Sequence, residues 1–237
     1  MAASREEGAD IRRLDKAIMA KNQIQPQQPP VFLTKHTPVQ RRSVQTFELI
    51  LRATAELLSE VGIEGLSTSL ICQRAGLTPP ALYRYFPNKF AVVKELGNRL
   101  MERMNEAFLA WLTAGQPLGP DHPQTDSAAS LKQIQETIKS ITTDFPASGW
   151  IMRALRAVPV LQDVRLASHN FVTTRAFGYL RPRYPRAADA ELRFAIRLAI
   201  EVMYSATEMI LDDPGLDEDT VNAGAAEMVV RYFQKFA

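Results

Sequence analysis

The sequence predicts an all-α protein. From residue 44 onward, apolar side chains recur at helical spacing almost without a break. Glycine, proline and capping residues punctuate that pattern at intervals suited to helices. No stretch alternates apolar and polar residues with period two over a useful length, and no internal repeat is found.

The chain has 237 residues, 46% apolar and 23% charged, the proportions of an ordinary soluble domain or two. No apolar run approaches the ~20 residues needed to span a bilayer. The opening segment, Met1 to Lys16, mixes charges of both signs and has no apolar centre, unlike a secretory leader. A cytoplasmic protein is expected. The lone Cys72 excludes an internal disulfide framework and a cysteine-built zinc site. Charge is unevenly spread. Residues 1–45 hold eight Lys/Arg against four Asp/Glu, whereas residues 98–237 hold fifteen against seventeen. The positive excess therefore lies toward the N-terminus, where a negatively charged partner is expected.

Residues 1–43 read as a flexible basic arm. Gln25–Pro30 is too rich in proline and glutamine to build a core. Before it, Ile11, Leu14 and Ile18 suggest a short helix opened by Ser4 and Glu7. Three apolar residues bury little, so a disordered tail is the simpler reading. The first helix of the next unit carries Phe47, Ile50, Leu51, Leu57, Leu58 and Val61, with Glu48, Arg52, Glu56 and Glu60 on the other face, and stops at Gly62. Ser67 caps a second helix, Thr68–Ala75, ended by Gly76. Thr78 caps a third, with Pro79 at its first position, where a missing N–H costs nothing. Pro87 ends it. Asn88 caps a long fourth helix bearing Val92, Leu96, Leu100, Met104, Phe108 and Leu112. A glycine- and proline-rich loop, Thr113–Ser127, follows. Further helices are predicted near 128–143, 148–157, 159–180, 189–211 and 217–236. A turn at Arg181–Arg186 precedes the last two, which start at Asp189 and Asp217, acidic residues suited to helix N-termini.

Two short helices joined by Ala75-Gly76-Leu77-Thr78 form a helix-turn-helix, whose third helix is free to present its N-terminal residues to a major groove. Ile71, Ala75-Gly76, Leu82-Tyr83, Tyr85-Phe86 and Asn88-Lys89, behind a helix ending at Gly62, make this unit resemble the DNA-binding domain of the TetR family. The resemblance is specific over 44–97; beyond that it rests on an all-helical domain of suitable length.

The resemblance implies a TetR-type helix-turn-helix domain over 44–97 and a helical effector-binding and dimerisation domain over 98–237. Ser67 and Thr68 would touch phosphate, and Ser69 would face a base. Thr78, Pro79, Pro80 and Ala81 would begin the recognition helix. Tyr83 and Lys89 would meet phosphate, Lys89 with help from its helix N-terminus. Arg84 and Tyr85 are further groove-facing candidates, Arg84 being the side chain able to read guanine in bidentate fashion. Arg41 and Arg42 either enter the minor groove or form a solvated basic pair. Leu82 and Phe86 are core. Three positions depart from the family pattern. Cys72 stands where alanine is usual and reads as a small buried hydrophobe rather than a redox sensor. Leu70 takes a position often polar. Pro79-Pro80-Ala81 offers few hydrogen bonds, which favours methyl contacts and shape readout.

In the second domain, Ile196, Val202, Met203, Met209 and Ile210 wrap one helix, and Val221, Met228, Val229, Tyr232 and Phe233 line the next. A helix apolar all round must be covered on both sides. A two-fold homodimer interface is expected there, with Met203, Ile210, Met228 and Phe233 in it. A pocket for a mainly apolar effector is expected among helices spanning 100–180, lined by Met104, Phe108, Trp111, Trp150, Leu155 and Phe171. Arg153, Arg156 and Arg175 are either partners for an anionic group on that effector or solvated side chains.

No catalytic motif appears. His36, His122 and His169 are scattered, and no metal-binding or phosphate-binding pattern accompanies them. No metal, cofactor or enzymatic activity is expected. The sequence therefore reads as a DNA-binding regulator, a repressor released from its operator by a small molecule. The rival is an effector-free DNA-binding protein, acting in nucleoid organisation or through a protein partner. A true cavity in the C-terminal domain separates the two.

Overall fold

A computed structural model describes residues 41–237, with side chains from Ser43 onward. The helix expected near Ser4 and Glu7 and the proline-rich stretch lie outside the described residues, as do the side chains of Arg41 and Arg42. The described residues contain helices and no strand: α1 Arg41–Gly65, α2 Thr68–Ala75, α3 Pro79–Tyr83, α4 Lys89–Thr113, α5 Gln124–Asp144, α6 Ser148–Ala157, α7 Gln162–Leu180, α8 Asp189–Asp212 and α9 Glu218–Phe233. Short 3-10 turns at Pro159–Leu161, Arg181–Arg183 and Gln234–Phe236 join or follow them.

Helices α1–α3 and the start of α4 share one core. Ile50, Leu58, Ile71, Leu82 and Phe86 are fully buried in it, each contributing about 1.5–3 kcal/mol over the exposed state. Phe47 stacks on Phe86 with ring centroids 4.9 Å apart. Gly62 breaks α1 with φ 65° and ψ −177°, so the expected stop is a kink followed by one more turn. That backbone belongs to a region essentially reserved for glycine. A Cβ there would sit 3.2 Å from the ring of Trp150.

The 25-residue α4, ~37 Å long at the usual helical rise, joins the two domains. Val92, Val93 and Leu96 face the first core, whereas Met104, Trp111 and Leu112 face the second domain. Helix α6 wedges between them. Trp150 lies on Gly62, and the fully buried Leu155 sits so close to Gly97 that a Cβ there would come within 2.8 Å of its Cδ2. Ion pairs reinforce the junction. Arg99 on α4 bonds Glu48 of α1 at 2.7 and 2.8 Å, and Lys94 reaches Asp163 of α7 at 2.5 Å.

Helix α5 begins four residues earlier than the loop composition suggests. Pro123 presets its first turn, and hydroxyls of its first two turns secure the preceding loop: Ser127 donates to the Pro117 carbonyl at 2.6 Å and Ser130 to Gln116 Oε1 at 2.5 Å. Helix α9 packs on α5 and α8, and α7 on α4 and α8, so five helices enclose the interior of the second domain. Among the described residues, no helix is long and apolar enough to cross a membrane.

Candidate nucleic-acid interface and interior cavity

The turn between α2 and α3 is built by Gly76, whose left-handed φ of 63° lets Leu77 donate to the Cys72 carbonyl at 2.9 Å. Ser67 caps α2, its hydroxyl accepting the Leu70 N–H at 3.2 Å. Thr78 precedes α3 in extended conformation and makes no side-chain cap bond, and Pro79 and Pro80 open the helix. Ser69, Thr78, Pro79, Pro80, Tyr83 and Arg84 are exposed, whereas Ser67, Thr68 and Ala81 are half-buried. Thr68 Oγ1 and the Tyr83 hydroxyl lie 3.0 Å apart, which brings two residues expected at phosphate together across the α2–α3 angle.

Lys89 is half-buried at the start of α4. Its Nζ donates to the carbonyls of Ile63 and Leu66 at 2.9 and 2.8 Å. It thus closes the C-terminal end of α1, where carbonyls lack helical partners. Asn88 caps α4 beside it by accepting the Ala91 N–H at 3.0 Å. An ammonium has three donors, so one remains after these two bonds.

One residue expected in the groove is placed elsewhere. Tyr85 is 4% exposed and meets Phe47 edge-on at 5.8 Å, because the turn after α3 rotates it toward α1. Cys72 is buried, and burial pushes its thiol pKa up, away from the reactive thiolate. A charge signal in this segment is visible once the surface is drawn. Residues 65–94 contain Arg74, Arg84, Lys89 and Lys94 and no acidic residue. Arg74 is turned back to Glu60 on α1, with N–O distances of 2.6 and 2.8 Å, whereas the exposed Arg84 stands at the C-terminal end of α3.

The second domain holds a cavity of about 280 Å³, walled by α4, α5, α7, α8 and α9. Met104, Phe108 and Trp111 line it. Trp150, Leu155 and Phe171 do not. Trp150 and Leu155 are taken up by α6 packing on Gly62 and Gly97, and Phe171 lies on the outer face of α7 with Arg175 over its ring. The inner face of α7 is instead Ser168, His169, Val172, Ala176 and Leu180, at helical spacing. The arginines proposed for an anion are engaged outside: Arg153 with Asp212 at 2.6 Å, and Arg156 with Glu208.

Helix α8 has two apolar faces, and the residues chosen for the dimer fall mostly on the inner one. Met203 and Phe233 line the cavity, and Ile210 is buried within the chain. Met228 alone of the four is openly exposed, at 60%. The outer stripe of α8 is Phe194, Leu198, Val202, Ser205 and Met209, and a shallow groove beside it is lined by Val202, Met209, Val221, Gly224 and Met228. Phe194 and Met209 are each about half exposed, unusual for side chains of their size.

Among the described residues, these features define a helix-turn-helix unit followed by a helical bundle that encloses a cavity. Residues 50–96 match the profile of bacterial regulatory proteins of the tetR family. The class C tetracycline repressor protein of Escherichia coli is 41% identical over 54 residues, which are 23% of this chain and 25% of that protein. The match thus spans about a quarter of the curated relative. A TetR-family transcriptional regulator from Streptomyces coelicolor superposes with a TM-score of 0.56 at 23% identity, covering 81% of this chain and 99% of that one. The SmeT–triclosan complex superposes with a TM-score of 0.59 at 18% identity, covering 79% and 91%. Residues 50–96 thus resemble the DNA-binding unit of the tetR family, and the likeness of the whole is one of fold.

Proposed function

We propose that the chain is a dimeric, sequence-specific DNA-binding transcription regulator, a repressor released by a small-molecule effector. The observation that carries the DNA-binding reading is the exposure of α3 and its flanks, at Thr78, Pro79, Pro80, Tyr83 and Arg84, within a thirty-residue stretch free of acidic residues. Ser67, Thr68 and Tyr83 supply hydroxyls for phosphate, and Lys89 keeps one donor for it. Arg84 is the candidate reader of guanine, and Ser69 and Ala81 are further groove-facing candidates. Arg41 and Arg42 remain candidates for the minor groove. The outer stripe of α8 with Met228 of α9 supports a homodimer, which holds two recognition helices one helical turn of DNA apart. The interior cavity favours effector control over the effector-free alternative, and the SmeT structure, solved with triclosan, shows a fold of this kind accompanied by a small molecule. The domain division at residue 97 and a cytoplasmic location follow from this reading.

Selection of bound fragments from a random DNA pool, by the purified full chain, tests it. A palindromic consensus with half-sites about ten base pairs apart is expected, with affinity falling steeply as salt rises. Absence of any enriched sequence would overturn the specific-binding reading.

A further inference from the structure

The side chains lining the cavity carry no formal charge. Among the residues lining it there is no Asp, Glu, Lys or Arg. Isolated charges are costly to bury without a partner, so a charged ligand has nothing here to compensate its desolvation. Most of the wall is apolar: Met101, Met104, Leu131, Ile134, Val172 and Ile200 are representative.

Some polar atoms of the wall residues are left unsatisfied by the chain. Trp111 Nε1, His169 Nε2 and the Tyr204 hydroxyl are buried with no hydrogen-bond partner, and all three residues line the cavity. His169 and Tyr204 are 3% and 5% exposed, and their rings are neighbours with centroids 4.7 Å apart. Buried polar groups rarely go unpaired, so these atoms call for a partner that the chain does not provide.

The chemistry of that partner follows from what stands behind His169. Its Nδ1 faces Glu201 Oε1 at 2.9 Å, and the same carboxylate accepts from Arg165 at 3.0 Å and Arg197 at 2.7 Å. Burial pushes the Glu201 carboxyl up, but the bonds from His169 and Arg197 outweigh it and hold it below the usual range. It is therefore ionised and accepts only. Burial also pushes His169 below its ordinary value, against the pull of Glu201, so the ring is neutral near pH 7. A neutral imidazole facing a carboxylate carries its proton on Nδ1, which leaves Nε2 as an acceptor.

We propose that the effector held in this cavity is an uncharged, mainly apolar molecule bearing a hydroxyl group that donates to His169 Nε2. The hydroxyl oxygen in turn accepts from the Tyr204 O–H, and the apolar body lies along the methionine- and isoleucine-lined wall. Glu201 is a positioning residue that fixes the imidazole tautomer. This inference rests on the effector reading above.

The test is calorimetric titration of the full chain with four probes of like length: 1-decanol, its isomer methyl nonyl ether, decanoate and decylammonium. The ether keeps the oxygen and loses the donor. Decanol is expected to bind about tenfold more tightly than the ether, the worth of one hydrogen bond to an otherwise unpaired buried acceptor, with both ions weaker than either. His169→Leu is expected to abolish the preference for decanol while ether binding persists, and Tyr204→Phe to reduce it. Equal binding of alcohol and ether by the unmodified protein overturns the hydroxyl assignment and leaves the effector reading intact. Tightest binding of decanoate overturns the exclusion of charge. If no probe binds, and none raises the melting temperature, the effector reading falls and this inference with it.

Discussion

Gly62→Ala is the substitution that interrogates the junction between the domains. Gly62 holds φ 65° and ψ −177°, a conformation that costs an L-residue of order 1–3 kcal/mol. The added methyl also comes within 3.2 Å of Trp150, a contact that a 38%-exposed side chain relieves by moving. The two effects together predict a loss of about 2–4 kcal/mol, toward the upper end of single-residue effects. For a domain of this size that is a fall in melting temperature of roughly 5–15 °C. Urea melts at fixed protein concentration measure it. Gly178→Ala is the control, because a Cβ there meets nothing within 4 Å and the backbone is helical; it should be neutral or gain up to about 1 kcal/mol. The double change Gly62→Ala with Trp150→Ala separates the terms, since removing the ring relieves the contact and not the backbone strain. A loss below ~0.5 kcal/mol for Gly62→Ala alone would refute the account of this junction.

Three further outcomes are expected. Met228→Glu or Phe194→Glu should shift the protein from dimer to monomer in sedimentation at micromolar concentration, whereas Met203→Leu should not; an unshifted Phe194→Glu would move the interface elsewhere. Lys89→Ala should lower the salt slope of DNA binding by about one unit, as loss of one phosphate contact does. It should also destabilise the free protein by about 1–3 kcal/mol, since it unpairs the carbonyls of Ile63 and Leu66; unchanged stability would deny its closing role. His169 has a folded pKa below its unfolded value, so the unfolded chain takes up the proton first as pH falls. Its contribution to stability is present above about pH 6.5 and is lost as pH drops below that. His169→Leu should flatten the melting curve against pH in that window, and an unaltered slope would show that another group titrates there.

Helix identity and order were legible from residue 44 onward because caps and breakers coincide with apolar periodicity. Asn88 and Asp217 do accept the N–H bonds that their positions suggest. What escaped was azimuth. On α7, Phe171 is the more conspicuous residue, yet it is His169, Val172 and Ala176 that turn inward. On α8 and α9 both sides are apolar, so Met203 and Phe233 read as interface residues when they line the cavity, while Phe194 and Met209 stand outside. Periodicity alone does not say which apolar face meets its own chain. Tyr85 misled for a related reason: α3 ends at Tyr83, and the following turn swings Tyr85 onto Phe47. His169, isolated in sequence, gained meaning only when folding brought Glu201 to it from α8.

The same α4 that lines the cavity also anchors the helix-turn-helix unit, which on the proposed reading constrains how an effector acts. Met101, Met104 and Asn105 contribute to the cavity wall, and Lys89, at the other end of the helix, is tied to the last turns of α1. Between them, Arg99 is bonded to Glu48 and Gly97 is pinned under Leu155. If α4 shifts as one element, those ties carry a displacement at Met104 to the α1–α2 corner. On the proposed reading, the ligand need only favour one placement of α4 over another. Moving a repressor from almost fully bound to almost fully released takes about 5.5 kcal/mol of differential affinity. One hydrogen bond to His169 does not supply that. The greater part must come from how well the apolar body fits the cavity in each placement of α4, which makes ligand shape the determinant of release and the hydroxyl the determinant of orientation.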